Sequence, residues 1–151
     1  MNFDLSAITL SAEQTEEVGK AVATTMLDDS SLPRFVALFG DLGVGKTAFV
    51  RGFTQAIAPK ARVKSPTFAL VNEYKGDLCS VFHFDMYRIE DEDELYSIGF
   101  YDYTERNGIC LTEWSENILS SLPEAYIRVD IAKNDTDNAD SRLITIKEYP
   151  L

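Results

Sequence analysis

The chain has 151 residues, enough for one domain with a real hydrophobic core, and its 45% hydrophobic and 11% aromatic content excludes a disordered polypeptide. Its formal net charge is −11, from 25 acidic residues against 14 Lys and Arg. So few cations exclude a strong direct grip on nucleic-acid phosphates, which needs a basic face.

The N-terminus, Met1 to Leu5, has neither a cationic start nor a long apolar stretch. No secretory or transmembrane segment is expected, and the chain reads as cytoplasmic. Cys79 and Cys110 each lie inside an apolar run, outside any C-x-x-C or Cys/His cluster, as reduced core cysteines do.

Residues 7–10 predict a short first strand. Ser11 then opens a helix as its N-cap, with Gln14 three residues on completing a capping box. Val18, Ala21, Val22, Thr25 and Met26 form the apolar stripe of that helix. A loop over residues 28–33 leads to the apolar run 34–39, which has the character of a buried parallel strand.

Gly40-Asp41-Leu42-Gly43-Val44-Gly45-Lys46-Thr47 follows and fits G-x-x-x-x-G-K-T. Its glycines let successive backbone N–H groups turn inward around phosphate oxygens, Lys46 carries charge to the β and γ phosphates, and the Thr47 hydroxyl is placed for Mg²⁺. The nucleotide-binding residues expected here are Asp41, Leu42, Gly43, Val44, Gly45, Lys46 and Thr47. Residues 48–57 then put Phe49, Phe53, Ala56 and Ile57 on one helical face, and Pro59 stops the helix. A strand before the loop and a helix after it are the context that such a phosphate-binding loop requires.

Residues 60–66 are polar, and Ser65-Pro66 reads as extended or turn. Thr67 admits two readings: a hydroxyl that senses the γ-phosphate and Mg²⁺, or a turn threonine that begins a strand. Residues 68–74 and 78–84 predict two strands joined at Lys75-Gly76-Asp77, an antiparallel hairpin inserted into a βαβ chain. Asp91 caps a short helix that Gly99 ends, and the acidic run 90–94 suits a solvated first helical turn. Residues 109–112 form another buried strand, residues 115–122 a short helix closed by Pro123, and residues 126–131 and 143–148 two further strands around a polar loop.

A phosphate-binding loop needs an acid at the end of a neighbouring buried strand, to hold Mg²⁺ directly or through water. Asp85 and Glu113 both qualify, since each follows an apolar run. His83, the only histidine, sits inside a strand pattern and reads as packed or surface-facing. Trp114 reads first as packing, with stacking on a base or a partner as the alternative.

Four motifs in order now carry a resemblance: the loop 40–47, Val63-Lys64-Ser65-Pro66-Thr67-Phe68, His83-Phe84-Asp85-Met86-Tyr87-Arg88, and Glu113-Trp114-Ser115. From about Leu10 to Pro123 the chain resembles the bacterial TsaE (YjeE) family, small ATPases required for threonylcarbamoyladenosine modification of tRNA. Phe68 stands where Tyr is common in that family, and Ala69 where Thr is common. After Pro123 the likeness is one of pattern only.

The resemblance implies ATP or ADP with Mg²⁺ as cofactors. It implies a protein heterodimer as partner, one member of which performs the carbamoyl transfer, with tRNA reached indirectly and no membrane involved. By motif position Thr47 and Glu113 hold the metal, and Asp85 positions water or the metal shell alongside Lys46. Ser65 and Thr67 form a first switch. The resemblance leaves the base-contacting residues open, and Ser11, at the first helix start, and Trp114 are candidates from the sequence alone.

The fold expected is α/β: a mixed, mostly parallel sheet flanked by helices on both faces, with an antiparallel hairpin insertion, in a single domain over 1–151. Two other functions remain open from sequence. A small-molecule kinase would need a cationic lid, for which Arg51, Arg62, Lys64 and Arg88 are sparse candidates. A nucleotide-dependent binding module would need no useful turnover. A GTPase fits less well, because no N-K-x-D motif occurs and Lys133-Asn134-Asp135 has the letters in the wrong order.

Overall fold

The computed structural model describes residues 4–41, 43, 45–66, 70–134 and 137–151. Its strands are β1 (Asp4–Thr9), β2 (Phe35–Phe39), β3 (Val71–Lys75), β4 (Ser80–Asp85), β5 (Gly108–Glu113), β6 (Tyr126–Lys133) and β7 (Arg142–Tyr149). Its helices are α1 (Ala12–Asp28), α2 (Lys46–Ile57), α3 (Glu92–Ser97) and α4 (Phe100–Thr104), with a 3₁₀ segment at Ser115–Ser121. All seven strands join one sheet in the order β1-β7-β6-β2-β5-β4-β3. The central run β6-β2-β5-β4 is parallel, whereas β7, β1 and β3 run antiparallel to their neighbours. This is the expected mixed α/β sheet, with the predicted hairpin forming its β3 edge.

Period-2 alternation sorts the side chains of the sheet into two cores. Val36 and Leu38 of β2, Val81 of β4 and Ile109 and Leu111 of β5 pack with Phe49, Val50 and Phe53 of α2 and with Val22 and Met26 of α1. Phe35, Ala37, Phe39, Phe82, Phe84 and Cys110 point the other way, onto Leu95, Phe100 and Ile118. Helices therefore cover both faces at β2, which is buried along its whole length.

Ser11 caps α1 as expected, accepting from the Gln14 N–H at 3.1 Å. The return bond is displaced by one residue: Gln14 Oε1 accepts from Leu10 N at 2.8 Å. The two large helices meet at a close backbone crossing. A Cβ on Gly52 would lie 1.9 Å from the Glu16 carbonyl oxygen, and one on Gly19 would lie 2.3 Å from that of Phe49. Arg51 and Glu16 span the same crossing with an ion pair of 2.7 Å.

Differences from the sequence reading are local. The first strand extends back to Asp4, and α2 begins at Lys46 rather than Ala48. The helix expected at residues 115–122 is a 3₁₀ segment interrupted by non-helical backbone at Ile118. Gly99, at φ +76°, does follow the α3 C-cap, but it also serves as the N-cap of α4. The expected strand start at Phe68 lies outside the described residues, as does the reading of Thr67. Cys79 and Cys110 are free thiols. Burial pushes the Cys110 thiol up to about 12. Among the described residues no helix is long and apolar enough to cross a membrane.

Candidate nucleotide site

Strand β2 delivers its last residue, Phe39, to the carboxyl edge of the sheet, and the loop begins there. Gly43 and Gly45 hold φ at +80° and +105°, values that a side chain would strain. Gly45 is also the N-cap of α2. It has no side chain with which to cap, so the first-turn N–H groups are left to an outside acceptor, as anion sites at helix N-termini require. Thr47 is exposed in that first turn and Asp41 is exposed on the loop. Asp41 also lines an open pocket of 610 Å³ with Phe39, Asp130 and Lys133. Leu42 and Val44 lie outside the described residues.

Lys46 is only 5% exposed. Its Nζ donates to the Gly40 carbonyl at 2.8 Å and stands 3.9 Å from the centroid of the Trp114 ring. A cation over an aromatic face gains about 0.5–2 kcal/mol, more as it is desolvated. Trp114 adopts left-handed backbone, φ 57° and ψ 42°. Such a conformation costs a non-glycine residue about 1–3 kcal/mol. The turn aims the indole back at the loop. Tyr87 packs on Trp114 with ring centroids 5.0 Å apart, and its N–H donates to Asp85 Oδ1 at 3.0 Å. Asp85, Tyr87, Trp114, Lys46 and Gly40 thus form one connected chain of contacts.

The two acids meet at the sheet edge. Parallel pairing of β4 with β5 sets Asp85 opposite Glu113, and β5 lies directly beside β2. Asp85 is half-buried, while Glu113 is only 8% exposed. His83 is 2% exposed, and its Nε2 lies 2.6 Å from Glu113 Oε2. Behind Glu113, the hydroxyls of Thr112 and Ser115 bond at 2.7 Å, and Ser115 Oγ also donates to the Thr112 carbonyl at 3.0 Å, fixing the turn. The Thr47 hydroxyl and the Glu113 carboxylate are hard oxygen donors, the type that Mg²⁺ takes alongside phosphate oxygens and water. This donor set fits the metal.

Ser11 caps α1 beside this edge, two residues beyond Thr9, which pairs with Arg142 in the β1–β7 ladder. Arg142 leans over the loop: its Nη2 donates to the Gly43 carbonyl at 3.5 Å, the outer limit of a hydrogen bond, and its Nε lies 3.9 Å from the Cβ position of Gly45.

A family model described as "Threonylcarbamoyl adenosine biosynthesis protein TsaE" matches residues 9–144. The chain belongs to the TsaE family. The match runs past Pro123 and takes in β6 and the start of β7, so the family likeness is longer than the motifs alone indicate. Among its relatives is the tRNA threonylcarbamoyladenosine biosynthesis protein TsaE of Haemophilus influenzae. The two are 49% identical over 64% of this chain and 61% of that one. The TsaE protein of Bacillus subtilis is 33% identical over 87% of this chain and 80% of its own length. A crystal structure of Bacillus subtilis YdiB superposes with a TM-score of 0.73 at 29% identity, covering 97% of this chain and 86% of that one.

Three features of the site escape sequence reasoning. The His83–Glu113 bond joins residues 30 apart, and a strand histidine gives no sign of its partner. Register offers the only hint, because His83, Asp85 and Glu113 share one face of β4 and β5. The second feature is the strained backbone of Trp114, a bulky residue with no propensity for that conformation. The third is Arg142, 99 residues from Gly43.

Proposed function

We propose that this TsaE-family chain binds MgATP at the loop 40–47, hydrolyses it slowly, and thereby supports threonylcarbamoyladenosine modification of tRNA. The observation that supports this most is convergence. The uncapped N-terminus of α2 and the Lys46 ammonium adjoin two carboxylates, Asp85 and Glu113, paired at the carboxyl ends of neighbouring parallel strands.

Phosphoryl transfer depends mainly on positioning and charge stabilisation, and the residues divide that work. Gly43, Gly45 and the first turn of α2 present N–H groups to the β and γ phosphates. Lys46 adds a positive charge held in place by Trp114. Thr47 and Glu113 hold Mg²⁺, which when bound neutralises charge on the phosphate oxygens. Asp85, fixed by its bond from Tyr87 N, orients the attacking water. Thr67 serves as the γ-phosphate sensor of a first switch, and Ser11 stands as a base contact.

The chain's own charge of −11 opposes direct anchoring to tRNA, so the coupling runs through protein contacts with a carbamoyl-transfer heterodimer. Reconstitution of tRNA modification from purified partners tests this reading. Modified tRNA should accumulate over repeated rounds only when this chain and ATP are present. Equal yield without the chain would overturn the reading.

A further inference from the structure

The proposed function uses Asp85 and Glu113 but leaves unexplained a buried histidine bonded to one of them. His83 lies on β4 two residues before Asp85, and the Asp85–Glu113 register brings its ring to the end of β5. There Nε2 stands 2.6 Å from Glu113 Oε2, with His83 2% exposed and Glu113 8% exposed. The other ring nitrogen, Nδ1, is buried without a hydrogen-bond partner among the described residues. A carboxylate accepts, so Nε2 carries the proton that it donates. The bond ties the ring and the carboxylate to each other inside the sheet.

We propose that His83 is a positioning residue for magnesium. By taking Oε2, it restrains the Glu113 side chain at the end of β5 and leaves Oε1 as the oxygen for the cation. A glutamate has three side-chain torsions, and an unheld one at a strand end would lose that order whenever the cation left. Partners that orient a metal-binding carboxylate typically raise metal affinity about 10–100-fold. Burial keeps water from competing for Oε2. The inference rests on the reading of Glu113 as the magnesium acid, and it adds a role for a residue that touches neither nucleotide nor metal.

Two substitutions separate orientation from mere packing. The amide nitrogen of Gln reaches about where Nε2 stands, whereas that of Asn reaches only the place of Nδ1. ADP affinity is measured for each folded variant with excess Mg²⁺ and with EDTA, and the ratio of the two affinities is compared. His83→Asn should lower that ratio about tenfold or more while leaving the EDTA affinity within about twofold. His83→Gln should keep most of the ratio. A His83→Asn protein with the wild-type ratio overturns the proposal and leaves the nucleotide reading intact. A wild-type protein whose ADP affinity ignores Mg²⁺ overturns both.

Should His83→Asn fail to fold, the wild-type chain still decides the matter, because it contains one histidine. The Nε2 nitrogen and proton resonances should move when Mg²⁺ is added to the ADP complex. A static resonance overturns the proposal.

Discussion

Asp85 and Glu113 are Cα partners on adjacent parallel strands, so their carboxylates leave the same face of the sheet at the same edge. Their environments divide them. Glu113 is buried and bonded to His83, whereas Asp85 is half-buried and spends Oδ1 on the N–H of Tyr87. The buried, oriented acid suits metal binding, and the more accessible one suits water.

The same contrast predicts how two isosteric changes differ. Glu113→Gln keeps an oxygen for His83 but loses the charge, and should weaken Mg²⁺-dependent nucleotide binding. Asp85→Asn keeps an acceptor for Tyr87, so the turn should stand, and turnover should fall more than affinity does. A Mg²⁺ titration of both variants checks the assignment. If Asp85→Asn loses the metal response while Glu113→Gln keeps it, the roles are exchanged.

Lys46 Nζ and the Trp114 ring predict an optical signal. The ammonium donates to Gly40 O and faces the indole, so a phosphate drawn to its remaining N–H places negative charge beside the ring. Trp114 is the only tryptophan, so its emission should change on adding ADP or ATP. In Lys46→Ala the same titration should leave emission flat. An unchanged wild-type spectrum at saturating nucleotide would mean that phosphate does not come beside the ring.

The crossing of α1 and α2 should tolerate no side chain at position 52. A Cβ there meets the Glu16 carbonyl at 1.9 Å, and two helix backbones cannot yield as a flexible side chain does. Gly52→Ala should destabilise the fold by at least about 1–3 kcal/mol, the usual range for overpacking. Denaturant unfolding would show it, and a midpoint within error of wild type would contradict the packing described.

Cys110 predicts a limit on the alkaline side. Burial raises its pKa from the ordinary 9.0 to about 12. In that window the unfolded chain releases the thiol proton and the folded chain does not, so unfolding is increasingly favoured as pH rises. The stabilising contribution is full below pH 9 and is lost progressively toward 12. Cys110→Ala should flatten the fall of melting temperature across this range, at a cost of about 1 kcal/mol from the lost packing. A slope equal to that of wild type would show that other groups control alkaline unfolding.

Much of the site was legible because its signals are local. The loop 40–47, the apolar run before it and the apolar helical face after it occupy one unbroken stretch. Asp85 and Glu113 could be found because each closes a short buried strand. The hairpin announced itself through Lys75-Gly76-Asp77. What sequence hid depends on contacts between distant residues or on backbone against propensity. Helix α4 has five residues, too few to display a helical period, and Gly99 reads as a stop although it also starts a helix. The partnership of His83 with Glu113 appears only once β4 and β5 are in register. Trp114 turns left-handed directly after Glu113, and nothing in an indole forecasts that. The pairing of β1 with β7 closes almost the whole length of the chain and brings Arg142 to the loop.

Lys46 and its loop, in the function proposed, bind and turn over ATP in support of the tRNA modification. ATP hydrolysis should be measured for wild type and Lys46→Ala, each alone and with the carbamoyl-transfer heterodimer, beside nucleotide affinity and a melting curve. Removing the ammonium should cost on the order of 1.5–3 kcal/mol of binding or transition-state stabilisation, because charge-assisted contacts are lost. Wild type should turn over slowly alone and faster with the heterodimer. Lys46→Ala should melt as a folded protein and lose both rates. A folded Lys46→Ala protein with wild-type affinity and wild-type partner-stimulated turnover would contradict this role for the loop.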